Sequence, residues 1–475
     1  MDKITNTPST SRNLVTRQAG CRQLAVELRE TAKLALPMVL TQVGQMAMTT
    51  TNVAFIGHIG AEALAGTALA SRIYLVGFIF GVGLLAPIAP LTAQAFGAGN
   101  LAVIRRSLGT GLWVAMLVSL PIIAVALHGE QMLLVLGQTP ETARLAQLYL
   151  FGMVWGVAPA LCFQAIRTSM GAVNQPKPVL WITVAAIPVN AILVYLLING
   201  KLGVPRLELF GAGLATSLVN CGTFLASLWF VTVRRPFRDY HLIAYPLCFD
   251  WALMRQLIVL GAPISLAFLI GYGAMSAAAL LAGLVSTSAL AAHQIALQVA
   301  ITLSLISSGI GMAKAVRVGH AVGRNDGPSV KRAGLAAMLL GVSVVTMLAL
   351  VVILARFEIA ALFLGKSTGN AEGTIGLAAK LLCIGVAFFI SNAVECIAAG
   401  GLRGLMDVRV PILFAGISHW LIGFYVGYVL GIKLGLGAVG IWIGLSIGTT
   451  VYAALLVLRF QLLANRLARM ARQSG

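Results

Sequence analysis

Long apolar runs alternate with short polar connections along almost the whole chain. A run of about 20 apolar residues, at about 1.5 Å of rise each, matches the roughly 30 Å hydrocarbon core of a bilayer. On that measure the chain predicts twelve spans, at 34–57, 63–96, 108–127, 145–165, 178–199, 212–233, 257–284, 289–316, 333–355, 377–400, 411–432 and 436–460. The longer runs leave room for tilt. One polar interruption, from Arg234 to Arg255, divides the spans six and six. The predicted organisation is a cytoplasmic tail (1–33), a first lobe of helices 1–6 (34–233), a cytoplasmic linker (234–256), a second lobe of helices 7–12 (257–460) and a basic cytoplasmic tail (461–475).

The two halves repeat. At a constant offset of 226 residues, Pro37 answers Pro263, Gly57 answers Gly283, Gly83 answers Gly309, Gly97 answers Gly323, and Arg105-Arg106 answers Lys331-Arg332. A period this long exceeds that of solenoid repeats and fits a duplicated bundle of the kind that transporters use. An even number of spans per half gives both halves the same orientation. The fold class expected is therefore an all-α integral membrane protein, with 12 transmembrane helices in two six-helix lobes related by a parallel, pseudo-two-fold repeat.

Composition agrees: 59% of the 475 residues are hydrophobic, only 10% are charged, and the mean hydropathy is +0.94. The net charge of +19 does not imply nucleic acid, because the basic residues sit between apolar runs rather than along one face. They do set orientation. With the amino terminus in the cytoplasm, 25 basic residues fall on that side and 8 on the other, so both termini are expected inside. The polar first 33 residues hold no apolar core of leader length and read as a tail rather than a cleaved signal. The six cysteines form no close-spaced pair and read as packing residues.

Of the 14 acidic residues, only Glu395 lies well inside a predicted span, about two-thirds along the tenth. Asn392 stands one turn before it, beside Ser391. Charges are costly in the bilayer and mark ion pathways. Glu395 reads as a protonatable or cation-binding carboxylate; the competing reading wets it from the cytoplasm or pairs it with Arg403. In the first span Gln42, Gln45, Thr49 and Asn52 step by three, four and three and share one helical face. Such a stripe must face the bundle interior, as a substrate cavity or as interhelical hydrogen bonds. Gln294 and Gln298 of the eighth span form a weaker set, and His293 beside them reads as packing. No span carries paired aspartates, H-E-x-x-H, a P-loop or G-x-S-x-G, which argues against an embedded enzyme.

The stretches LALPMVLTQVGQM (34–46) and FIGHIGAEALAG (55–66), FDWALMRQLIVLGAPISLAF (249–268), SALAAHQIALQ (288–298), RVGHAVGRND (317–326) and AAGGLRGLMDVRVP (398–411) resemble MATE multidrug and toxin extrusion transporters of the NorM-like branch, in order and at family spacing. The resemblance implies a V-shaped cavity between lobes. It implies export of bulky, often cationic amphiphiles driven by inward H⁺ or Na⁺, with no other cofactor. Carried over by position, the acidic first-span residue of many members falls on Asn52 and its helpers on Asn190 and Thr216. The seventh-span Glu falls on Gly271 and the tenth-span Asp on Asn392. Three commonly acidic positions are thus neutral here. Either Glu395 has taken over, or the branch couples differently, or transport is uncoupled.

The expected function is that of an antiporter of the bacterial inner membrane, acting as a monomer, with small organic substrates and the bilayer as its partners and no nucleic acid. The competing function is a flippase of a lipid-linked or polysaccharide precursor. That would need a cationic cavity, and the predicted span centres offer no Lys or Arg.

Overall fold

The computed structural model describes residues 9–201, 205–234, 250–364 and 371–473, and it is nearly all helix. In the first half the order is α1 (Ser9–Gly57), α2 (Ala61–Leu85), α3 (Ile88–Gly97), α4 (Leu101–Leu127), α5 (Gly129–Val135), α6 (Pro140–Val154), α7 (Val157–Ala172), α8 (Lys177–Asn199) and α9 (Glu208–Val233). The second half has α10 (Trp251–Val285), α11 (Thr287–Gly323), α12 (Gly327–Leu354), α13 (Arg356–Leu364), α14 (Ala371–Gly404), α15 (Arg409–Lys433) and α16 (Gly437–Gln473). Ten helices among the described residues are long and apolar enough to cross a membrane, with α2 and α3 forming one. An eleventh is made by α6 and α7, bent by 49°. The helix α1 falls outside that set because Gln42, Gln45 and the Thr49–Asn52 run lower its apolarity. It packs against α8 and α11 where a first span belongs, which is consistent with the twelve expected.

Both expected tails are helical where they are described. The helix α1 begins at Ser9 and runs unbroken into the span, and α16 continues to Gln473. The reason at the start is tertiary: the turns before the span reach the second lobe, where Arg317 donates to Glu27 in a short ion pair. Arg332 Nη1 also donates to Gln23 Oε1 at 2.8 Å. Of the expected linker, 235–249 lies outside the described residues. Its last part is helical, capped by Asp250, whose carboxylate accepts from the Leu253 amide at 3.1 Å.

The repeat recurs in local geometry. Asn100 caps α4 by accepting from Val103 N, and Asp326 caps α12 by accepting from Ser329 N. The residue before each cap is left-handed, Gly99 at φ 70° and Asn325 at φ 55°. All of these pairs sit at the same sequence offset. Glycine and asparagine tolerate that region best, which is why this turn could be copied.

The repeated glycines form the seam between the lobes. A Cβ on Gly83 would meet the Ser265 backbone at 2.5 Å, and one on Gly309 would meet Val39 Cα at 2.9 Å. A Cβ on Gly97 would strike the His320 carbonyl, and one on Gly323 the Gln94 carbonyl. Val39 and Ser265, like Gln94 and His320, differ by the repeat offset, so each contact has its two-fold image. Side chains add to the seam: Gln94 Nε2 donates to Gly404 O at 2.9 Å, and His320 Nε2 lies 2.7 Å from Ala172 O. These contacts gather at the end of the bundle that carries the chain termini. Leu34, Ala35 and Met38 share a core there with Ile310, Ala313 and Val316. Toward the other end each half closes on itself, around Ile56, Tyr149 and Leu150 in the first and around Phe388, Phe389 and Trp442 in the second. The core shared by the lobes lies at the terminal end, and nearer the other end a bond from Arg72 to Tyr272 also crosses between them.

Candidate functional site

In the first lobe, three helices bring Asn52, Asn190 and Thr216 together. Asn190 Nδ2 donates to Asn52 Oδ1 at 2.6 Å, Asn52 Nδ2 donates to Thr216 Oγ1 at 3.0 Å, and the Thr216 hydroxyl donates to Ala212 O at 3.2 Å. Asn52 and Asn190 are 7% and 1% exposed. The chain of bonds is neutral. It satisfies buried amides and ties α1, α8 and α9 into one body.

Lower on α1, the polar stripe meets a cation. Arg167 on α7 donates from Nη1 to Gln45 Oε1 at 2.8 Å and from Nη2 to Gln42 Oε1 at 2.7 Å. Its Nη2 also lies 3.9 Å from Met312 Sδ in the second lobe. The sequence reading placed Arg167 in a connection beyond residue 165; α7 instead runs to Ala172 and holds it 7% exposed. Lys314 is a second such correction. It lies inside α11, 1% exposed, with Nζ 4.2 Å from the Phe460 ring centroid, in space left by Gly401. Arg72 is a third, an exposed side chain deep in the Ala61–Gly97 span that donates to the Tyr272 hydroxyl at 3.2 Å. The span interiors therefore do contain cations. The sequence reading assigns all three to the connections between spans, which is where a basic residue is usually found.

Arg167→Leu leaves two glutamine oxygens without their charged donors. The expected cost is about 1–3 kcal/mol, seen as a lower melting temperature in detergent. Arg167→Lys should recover only part of it, since an ammonium does not reproduce the two-pronged guanidinium. An unchanged melting temperature in the leucine variant would remove this bond pair from the account.

The other expected cavity residues are dispersed. Thr49 is exposed, and its hydroxyl donates to Gln45 O at 3.2 Å. Gln294 is exposed and Gln298 is half-buried. His293 is fully buried, accepting from Trp442 Nε1 at 3.1 Å among aromatic rings, as packing predicts. Gly271 faces open space.

In the second lobe Asn392 and Glu395 turn to different neighbours. Asn392 Oδ1 accepts from Ser304 on α11 at 2.5 Å. Glu395 Oε1 lies 3.8 Å from His419 Nε2 on α15, and its Oε2 is buried without a hydrogen-bond partner among the described residues. The carboxylate borders a partly open pocket of about 100 Å³, shared with Phe268, Ser308, Arg403 and Tyr452. His419 escaped the sequence reading. The available signal was that a histidine stands within the eleventh apolar run. Around it, Gly416–Phe424 winds as wide π-type turns, a geometry found often at functional sites. Gly423, Gly427 and Gly431 let α15 close against Gly448, Gly444 and Gly440 of α16.

The MatE family model matches residues 37–196 and 263–429, one match in each half. A protein of Bradyrhizobium diazoefficiens named "Probable multidrug resistance protein NorM" is 57% identical over 95% of this chain and 97% of its own length. A protein of Rhodopseudomonas palustris with the same name is 49% identical over 92% of each chain. Among solved structures, one described as the outward-facing conformation of a multidrug resistance MATE family transporter superposes with a TM-score of 0.84, at 17% identity, over 93% of this chain and 97% of that one. The paired model matches agree with the two-lobed seam, and the relatives span nearly the whole chain. The chain belongs to the MatE family of membrane transporters.

Proposed function

We propose that the protein is a secondary active antiporter of the bacterial inner membrane, exporting organic amphiphilic compounds, cationic ones among them, in exchange for H⁺ or Na⁺. The names of its relatives support multidrug export. The observation that carries the reading is the seam itself: the two lobes share a core and their closest backbone contacts at the terminal end, while toward the other end each has a core of its own. With both termini cytoplasmic, as the basic-residue distribution indicates, the shared core lies on the cytoplasmic side, so the lobes would part on the outer side to release cargo. The Asn52–Asn190–Thr216 cluster, with Asn392 in the other lobe, would supply hydrogen bonds to the coupling cycle. Gln42, Gln45, Thr49, Gln294 and Gln298 would line or support the path of the substrate. Glu395, the acidic residue well inside a second-lobe span, would take the coupling ion. Ion and cargo each favour one arrangement of the lobes, so each shifts the population that the other needs. The chain is proposed to act as a monomer.

The test is transport of a fluorescent cationic dye in proteoliposomes under an imposed H⁺ or Na⁺ gradient. Acceleration by one gradient names the ion. Glu395→Gln is expected to abolish gradient-driven movement while the protein still inserts; undiminished export would take Glu395 out of the mechanism. Flipping of a lipid-linked precursor is the second reading, and Arg72, Arg167 and Lys314 answer the objection that the spans lack cations. Arg167 and Lys314 are buried, however, which leaves Arg72 as the exposed one of the three to meet a phosphate group. Indifference to both gradients would favour that reading.

A further inference from the structure

We infer that Glu395 and His419 form a shared proton site, and that this site selects H⁺ over Na⁺. The inference rests on the proposed role of Glu395 as the coupling group and names its partner and its ion.

The geometry is that of a carboxylate and an imidazole facing each other from two helices, with the carboxylate also bordering a small pocket. At 3.8 Å the Oε1–Nε2 distance suits a charged pair and is too long for a good hydrogen bond. Both side chains are largely enclosed, with 17% of the Glu395 side chain and 8% of that of His419 exposed. Oε2 has no donor among the described residues, and neither does Ser418 Oγ beside the histidine. A buried carboxylate with an unmet oxygen needs its charge balanced locally. A proton on either member of the pair does that without any further ligand.

The surroundings disfavour a metal cation. Sodium, a hard ion, wants several oxygen ligands, by the same logic that governs other hard cations. From α10 the cavity receives Pro263, Ile264, Ala267 and Phe268, none of which titrates. From α11 it receives Ser308, with buried Lys314 further along that helix. From α15 it receives Pro411, and from α16 Tyr452, whose ring lies 5.0 Å from that of His419; the His419 nitrogen itself meets Glu395 beside the cavity. On α14 itself stand the Cys396 thiol and Arg403, whose guanidinium lies 5.6 Å from the Phe268 ring centroid. Asp407, the remaining acid at the cavity, is held by Arg459 Nε at 2.7 Å. One uncommitted carboxylate faces a fixed guanidinium. That set holds a proton well and a sodium ion badly.

The cavity also adjoins the lobe seam. Pro263 and Ile264 line it, and Ser265, the next residue, packs on Gly83 and donates to Phe80 O at 2.7 Å across the lobe seam. A change of charge at the pair reaches the seam through one helix.

The test needs no substrate, so its result stands apart from that of the dye experiment. Infrared difference spectra of the purified full chain in detergent, between acid and alkaline buffer, read the C=O stretch of a protonating buried carboxyl. The wild type is expected to show such a band and Glu395→Gln to lack it. His419→Asn and His419→Gln are each expected to move its midpoint by roughly one to three pH units, the effect of a neighbouring charge within about 4–6 Å. Replacing KCl with NaCl should leave the wild-type midpoint in place. A band that survives Glu395→Gln overturns the assignment. So does a midpoint that neither histidine variant moves, or one that sodium displaces.

Discussion

Gly323→Leu is expected to stop net export while leaving a folded, membrane-inserted protein. The Cβ of any residue at 323 lands on the carbonyl of Gln94, which belongs to a helix backbone and cannot step aside as a flexible side chain would. The lobe cores around Tyr149 and Trp442 are far from this contact and keep their packing. Strain is therefore relieved by separation of the lobes at the terminal end, which disfavours the closed seam. Overpacking of this kind costs about 1–3 kcal/mol. At about 1.4 kcal/mol per tenfold, the closed-to-open ratio falls by up to roughly 100-fold. A single cysteine at position 42, in a chain otherwise free of cysteine, reports the change. A membrane-impermeant maleimide applied from the terminal side should label it faster in the variant. Gly97→Leu should do the same, since its Cβ meets the His320 carbonyl in the two-fold image of that contact. Unaltered labelling and undiminished transport would show that the seam is not the gate.

Gly400→Leu is expected to fail earlier, at folding. Gly400 lies inside the second lobe, where α14 crosses α11. A Cβ there would overlap the Gly311 carbonyl and reach Gly311 Cα at 2.9 Å. A Cβ on Gly311 would in turn meet Cys396 O at 2.6 Å, so both helices rely on the missing side chains. The surrounding Ile310 and Ile397 are 3% and 0% exposed and leave no space to rearrange. The destabilisation expected is about 3 kcal/mol, at the upper end for overpacking. It is measured as loss of the monodisperse peak in size-exclusion chromatography and a lower melting temperature. Gly271→Leu is the control. Nothing lies within 4 Å of its Cβ, and leucine is the better helix former, so stability should hold or rise slightly. Equal losses in both variants would mean that crowding at the α11–α14 crossing is not the cause.

These contrasts separate two uses of glycine that look identical in sequence. The repeat marks Gly83, Gly97, Gly309 and Gly323 as punctuation, but their shared position at the seam is a fact about two surfaces meeting. The same holds for the sites. Glu395 was legible because one charge in an apolar run stands out. Its partner His419 was not, because a histidine lowers apolarity little and the pairing spans two helices. Arg167 finds Gln45 and Gln42 across separations of 122 and 125 residues. Asn52, Asn190 and Thr216 were connected through family resemblance alone, and their bonds cross 138 and 164 residues.

The sequence by itself determined the membrane class, the spans, the duplication, the expected side of the termini and the position of the in-span acid. All of these follow from where water is excluded along one dimension, a property that local composition records. Only the tertiary structure decided which end of the lobes is joined, that cations lie buried within the helices, and which side chains face Glu395. Those depend on the contact of helices remote in the chain, where a missing Cβ or a rotation of one residue changes the neighbour, and no window along the sequence measures that.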